Sequence, residues 1–191
     1  GGGNSSGSAA EPSYEGANLA ATSNVVFVSM NYRLGPLGWL YHEALQDGDP
    51  DTDSGNFGTL DIIKSLQWIR DNIERFGGDP DNVFITGESA GGINVLSMLV
   101  SPRAGGLFHK AMSQSGLLAD ISVETAAAFG QDLIPGVLVA EGLAADLSAA
   151  EALLATMSPQ EVRAALLAAE PLSIMEQVPT IGVGLLSMPF I

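Results

Sequence analysis

The sequence predicts an α/β fold with a mostly parallel sheet, on three observations. Apolar runs rich in β-branched residues alternate with segments of helical period in the order strand, helix, strand, helix, strand, the order that builds parallel sheets with covering helices. A serine flanked by glycines, in FITGESAGG from Phe84 to Gly92, stands between one such run and the helix that follows. The apolar fraction, 46% of 191 residues, suffices for a buried core within a single domain.

The elements follow in chain order. The opening GGGNSSGS is glycine and serine rich and, on composition alone, reads as a flexible linker. Asn24 to Met30, NVVFVSM, is almost continuously apolar, as in a strand covered on both faces. NYRLGPLG, Asn31 to Gly38, supplies turn residues, and Glu43 to Asn56 is acidic and loop-like. Thr59 to Arg75 carries Leu60, Ile63, Leu66, Trp68, Ile69 and Ile73 near helical spacing, and Gly77-Gly78-Asp79-Pro80 ends it. A short strand at Val83 to Thr86, a helix from Ala90 to Leu99 and a strand from Lys110 to Ser115 come next. Beyond Ser122 alanine and leucine dominate, and helices are expected near Glu124–Gln131, Ala149–Met157 and Pro159–Glu170. In the last, Ser158 as N-cap, Pro159 at the first helical position and Glu161 make a capping box.

Composition narrows the function. Seven basic against 22 acidic residues leave a net charge of −15, which repels phosphate backbones and disfavours nucleic acid as a partner. No run is long and apolar enough to span a bilayer, and the start lacks the basic and apolar regions of a signal peptide. A soluble protein, cytoplasmic or secreted, is expected. Without cysteine there is no disulfide, thiolate metal site or cysteine nucleophile. Asn4-Ser5-Ser6 is a weak glycosylation signal. Two distant histidines make no metal cluster, and the glycines at Gly77, Gly91 and Gly105 lack the phosphate-loop lysine, so neither metal nor cofactor is expected.

The chemistry lies in Gly87-Glu88-Ser89-Ala90-Gly91, which matches G-x-S-x-G, the nucleophile elbow. A strand that turns abruptly into a helix holds the serine in a strained backbone conformation, and the residues two before and two after are glycine because the turn crowds them. The hydroxyl of Ser89 is presented at the carboxyl end of the strand, with the N–H of Ala90 toward a substrate carbonyl.

Three stretches carry a resemblance: NYRLGPLG, GNFGTLDIIKSLQWIRDNIERFGGDPDNVFITGESAGG and LFHKAMSQSG, in order over most of Asn24–Gly116. The chain resembles the type-B carboxylesterases, the α/β-hydrolases that include cholinesterases and p-nitrobenzyl esterases. That resemblance implies an α/β-hydrolase fold, a mostly parallel sheet with helices on both faces, incomplete in this chain. Residues 1–118 would be the core with the oxyanion loop and elbow, and 119–191 a helical packing or lid segment of the same domain. The family's oxyanion loop, HGGGF or YGGGF, precedes the NYRLG strand. Gly1-Gly2-Gly3 and Tyr14-Glu15-Gly16 take the places of that loop and of the tyrosine-glycine segment after it. The N–H groups of Gly2 and Gly3 would then join Ala90 in the oxyanion hole, with Asn4 departing from the usual aromatic.

A serine hydrolase also needs a base and an acid, in the chain order serine, acid, histidine. Only His109 lies on the permitted side of Ser89, and it precedes the neighbouring strand, about six residues at about 3.3 Å each from the hydroxyl. His42 has the wrong order. Ser115, at the far end of that neighbouring strand, is expected beside the site. Glu88 is read as a buried, hydrogen-bonded or cation-facing carboxylate, and Arg33 and Asp61 as scaffold ion-pair partners. In the family the acid and histidine lie later than Ile191, and the closing IGVGLLSMPFI resembles the approach to a further family segment. An internal piece of a longer esterase is therefore expected, inactive alone. The implied function is serine-dependent hydrolysis of a small-molecule carboxylic ester; the alternatives are a non-catalytic binding or adhesion module on the same fold, or an acyltransferase. Oligomeric state is not legible.

Overall fold

The computed structural model describes residues 1–117 and 121–178. IGVGLLSMPFI and the expected boundary at residues 118 and 119 lie outside them. The helices are α1 (Ala17–Ser23), α2 (Gly35–Gly38), α3 (Pro50–Asp53), α4 (Phe57–Asn72), α5 (Ala90–Val100), α6 (Val123–Ala140), α7 (Leu147–Leu154), α8 (Pro159–Ala168) and α9 (Pro171–Met175), with strands β1 (Phe84–Glu88) and β2 (Lys110–Gln114). The described residues form two compact units, one of 1–33 and 58–117, the other of 34–57 and 121–178.

In the first unit β1 and β2 pair in parallel, in register from Phe84 opposite Lys110 to Glu88 opposite Gln114. The crossover between them is α5, so this is a βαβ unit as the sequence order requires. Its core gathers Ile62, Ile63, Leu66, Ile69 and Ile73 from α4 and the turn after it, Met98 of α5, and Ala104 and Leu107, with Val83 and Ile85 packed alongside. Gly77 ends the turn after α4 at φ 82°, a left-handed cap that glycine adopts without a Cβ penalty. Strand alternation points Ile85 into that core and leaves Phe84 half exposed at 51% and Met112 exposed on the other face.

The expected strand at Asn24 to Met30 does not form. Among the described residues the ladder contains β1 and β2 alone, and Val25 through Val28 are exposed. An apolar run states a demand for burial; a strand also needs a hydrogen-bonding neighbour, which the pattern cannot encode.

The second unit is helical. Ile134, Leu138, Ala150, Val162 and Leu166 form one buried cluster with Ala44, and Leu133, Val137 and Ile174 form another. α6 runs nine residues beyond the expected end at Gln131 and passes through Pro135. Proline inside a helix costs about 3 kcal/mol through a lost N–H and a carbonyl clash; burial of Leu133, Ile134, Val137 and Leu138 on either side offsets it. The capping box of α8 is as expected, with the Ser158 N–H donating to Glu161 Oε2 at 2.8 Å and the Glu161 N–H to Ser158 Oγ at 3.3 Å. Arg163 of α8 donates to the carbonyl oxygens of Leu45 and Gln46 and pairs with Asp47 at 3.3 Å, which ties down the acidic loop.

Candidate active site

β1 passes into α5 through a single residue, Ser89, at φ 55° and ψ −120°. A non-glycine residue at positive φ costs of order 1–3 kcal/mol and persists only where its surroundings over-determine it. Here they do. The Ser89 N–H donates to the Gln114 carbonyl at 2.8 Å, extending the ladder past Glu88, while the Ser89 carbonyl accepts the first α5 bond from Ile93 at 3.1 Å. The bend is therefore clamped on one side by the sheet and on the other by the helix.

The glycines show how tight the bend is. A Cβ on Gly87 would stand 2.2 Å from the Gly91 carbonyl oxygen, so no other residue fits. Gly91 itself is less confined: its Cβ would meet the Gly1 nitrogen at 3.4 Å, an ordinary contact. The crowding expected two residues after the serine falls instead on Gly92, whose Cβ would meet the Gln114 carbonyl oxygen at 2.8 Å and the Gly116 nitrogen at 2.9 Å. The first turn of α5 lies hard against the end of β2, and the second glycine of the Gly91-Gly92 pair was the signal for it.

The amino-terminal glycines lie against this bend. A Cβ on Gly1 would sit 3.0 Å from Glu88 Oε2 and 3.7 Å from the Glu88 carbonyl oxygen. Gly2, Gly3 and Asn4 follow at φ 74°, 59° and 55° in a tight turn closed by N–H bonds from Ser5 and Ser6 to the Gly2 carbonyl at 3.0 and 3.1 Å. Successive left-handed residues explain the glycines, and asparagine is among the few other residues that tolerate that conformation. This is a packed turn and not a linker.

Asn4 is fully buried, at 0% exposure. Its Nδ2 donates to Asn94 Oδ1 at 3.1 Å, Asn94 Nδ2 donates back to Asn4 Oδ1 at 2.9 Å, and the Tyr32 hydroxyl donates to the same Asn4 oxygen at 3.0 Å. Burial pushes the Tyr32 phenol above its ordinary range, more than the hydrogen bond to Asn94 lowers it, with the neighbouring Tyr14 adding to the rise. The phenol accordingly remains a donor. In the sequence Asn4 stands out only as a departure from the usual aromatic, and Asn94 carries no mark beyond being a carboxamide within the apolar run Ile93 to Leu96.

The remaining predicted residues fall as follows. Ala90 is the first residue of α5 and is buried, so its N–H belongs to the helix N-terminus beside the bend. Ser115 follows β2 as Ser89 follows β1, and also has positive φ, 54°. Glu88 corrects the expectation of burial: it is exposed, because alternation along β1 turns it to the same side as Phe84 and Thr86. Arg33 and Asp61 form a bidentate pair, with Nε and Nη2 donating at 2.8 Å each and the Arg33 N–H adding a third bond at 2.9 Å. Partial burial alone would raise the Asp61 carboxyl, but the hydrogen bonds and charge of Arg33 outweigh it and hold it below the usual range.

Of the two histidines, only His109 lies in the same unit as Ser89. His109 sits at the opposite end of the ladder, where its N–H donates to the Val83 carbonyl at 2.8 Å and its Nδ1 accepts the Val83 N–H at 3.1 Å. His42, in the helical unit, uses both ring nitrogens there: Nδ1 accepts from the Ala44 N–H at 3.1 Å and Nε2 donates to Gln131 at 2.9 Å. Among the described residues no group of histidines and carboxylates gathers to hold a metal, and no helix is long and apolar enough to cross a membrane.

This geometry has relatives. The carboxylesterase family profile matches residues 1–138. The para-nitrobenzyl esterase of Bacillus subtilis (strain 168) is 46% identical over 121 residues, 63% of this chain and 24% of that protein. An acetylcholinesterase of Caenorhabditis briggsae is 48% identical over 118 residues, 62% of this chain and 18% of that protein. The crystal structure of a Geobacillus stearothermophilus carboxylesterase superposes with a TM-score of 0.78 at 34% identity, covering 99% of this chain and 37% of that one. The chain thus spans a quarter or less of the curated relatives' length. With a family profile over most of its residues, and a likeness to a solved carboxylesterase over nearly the whole chain, the chain belongs to the carboxylesterase family.

Proposed function

We propose that this chain supplies the nucleophile and the oxyanion hole of a serine carboxylesterase whose substrate is a small-molecule carboxylic ester. The observation that carries the reading is the strained bend at Ser89, φ 55° and ψ −120°, with Gly1 against Glu88 and Gly91 on either side of it and the left-handed Gly2–Asn4 turn following. Strain of that kind is retained where a side chain must be held out of the regular structure.

In the reaction, Ser89 Oγ bonds to the ester carbonyl carbon as its proton passes to a base. The carbonyl oxygen becomes an oxyanion, which accepts hydrogen bonds from the N–H groups of Gly2, Gly3 and Ala90. Collapse expels the alcohol, which takes a proton from the base, and water then releases the acid and restores the serine. Donors fixed in advance need no reorganisation as charge develops, and removing one typically costs about 2.7–4 kcal/mol of barrier. Glu88 and Ser115 border the site without a chemical step.

The base and its orienting acid come from protein outside these 191 residues, a reading supported by the engagements of His42 and His109. A net charge of −15 supports a small-molecule partner over nucleic acid. The test is p-nitrophenyl acetate hydrolysis by the full-length enzyme and by residues 1–191 alone. Hydrolysis by the full-length enzyme, abolished in Ser89→Ala, with negligible turnover by residues 1–191, is expected. Rapid turnover by residues 1–191 would overturn the external base, and full activity in Ser89→Ala would overturn the nucleophile.

A further inference from the structure

We propose that Asn4 and Asn94 are a pair of positioning residues that fix the register of the oxyanion turn on the nucleophile helix, with Tyr32 as a third anchor. This rests on the esterase reading of the same site and adds how the donors are held.

Within the turn from Gly2 to Asn4, only Asn4 has a side chain by which the turn can be held in place. Two of its residues have no side chain, and all three have positive φ, at 74°, 59° and 55°. A flexible turn would leave its N–H groups free to wander from the place where charge develops, and a misplacement of about 1 Å typically costs about 100-fold in rate. Asn4 is the first residue after the glycines able to anchor the turn, and it is fully buried.

The anchor has a definite geometry. Two carboxamides exchange a donor and an acceptor at 3.1 and 2.9 Å, a two-point contact that fixes orientation as well as distance. Asn94 lies on α5, whose first residue is Ala90, the other proposed oxyanion donor. The amide pair therefore ties the Gly2 and Gly3 donors to the element that carries the third one. The Tyr32 hydroxyl occupies the second lone pair of Asn4 Oδ1 at 3.0 Å, so the carboxamide cannot flip without breaking all three bonds. An aromatic residue after the glycines would fill space there but make no such contact.

The experiment measures kcat and KM for an activated ester in the full-length enzyme, per active site counted by end-point fluorophosphonate titration, for wild type, Asn94→Ala, Asn4→Leu and the double variant, with the rate of Ser89→Ala, which the titrant cannot label, taken per protein. Asn94→Ala leaves the backbone of Asn4 untouched and decides the question if Asn4→Leu fails to fold. The expected result is kcat lowered about 100-fold in each single variant, with KM changed less than about threefold, because the loss falls on the transition state. The double variant should be no slower than the slower single one, since the pair acts as a unit. A fall in kcat per site of less than about tenfold, a loss confined to KM, or single effects that multiply in the double variant would overturn the proposal. Wild-type hydrolysis that does not depend on Ser89 would instead overturn the esterase reading beneath it.

Discussion

The bend region and the helical unit are stabilised in opposite ways. Around Ser89 the backbone is forced: Gly2, Gly3, Asn4, Ser89 and Ser115 all have positive φ, Gly87 and Gly92 have no room for a Cβ, and the buried polar atoms of Asn4 and Asn94 satisfy each other. In the helical unit regular helices with ordinary caps, at Ser122, Asp146 and Ser158, bury Ile134, Val137 and Leu138 with almost no exposed surface. One region spends stability to hold a geometry; the other accumulates it by apolar burial.

That contrast can be broken at either end. The largest loss of stability is expected from Ile134→Ala, in the core of the helical unit: about 4 kcal/mol from lost transfer energy and the cavity left behind, seen as a lower denaturation midpoint. Activity per folded site should be unchanged. Gly87→Ala should cost about 3 kcal/mol through the clash with the Gly91 carbonyl and also abolish ester hydrolysis, so that stability and activity fall together only at the bend.

Ser89→Gly should go the other way. Relief of positive φ is expected to raise stability by about 1 kcal/mol, whereas Ser89→Ala keeps the strain and should leave stability near wild type. Both variants lack the nucleophile. A stabilised glycine variant sharpens the contrast; a destabilised one removes the claim of strain.

The smallest effect concerns Arg33 and Asp61, a half-exposed pair. Arg33→Ala should cost about 0.5–1 kcal/mol at neutral pH. Because the folded Asp61 carboxyl is held below its ordinary value, its contribution is present above the usual carboxylate range, about pH 4, and is lost as pH falls through the lower folded value. The difference between wild type and Arg33→Ala should therefore shrink on acidification; a difference that grows in acid would contradict the pairing.

The sequence made some of this legible for physical reasons. A position with no room for a Cβ demands glycine, so Gly87 and with it Ser89 could be read from a short motif, and the helix ends could be read from Ser158 with Glu161 and from Gly77. Asn4 with Asn94 could not, because a contact across 90 positions leaves no local pattern beyond one amide among apolar neighbours. The exposed run Val25 to Val28 misled in the opposite sense, since its composition asks for burial and says nothing about a partner strand. Pro135 hid the length of α6, whose continuation depends on the burial of Ile134 and Val137 and not on local propensity.

The most direct test of the central claim is peptide mapping by mass spectrometry after a fluorophosphonate has reacted with the full-length enzyme. A single phosphonyl adduct on Ser89, forming at the rate at which esterase activity disappears, is the predicted result. An adduct on another serine, or loss of activity with Ser89 unmodified, would contradict it.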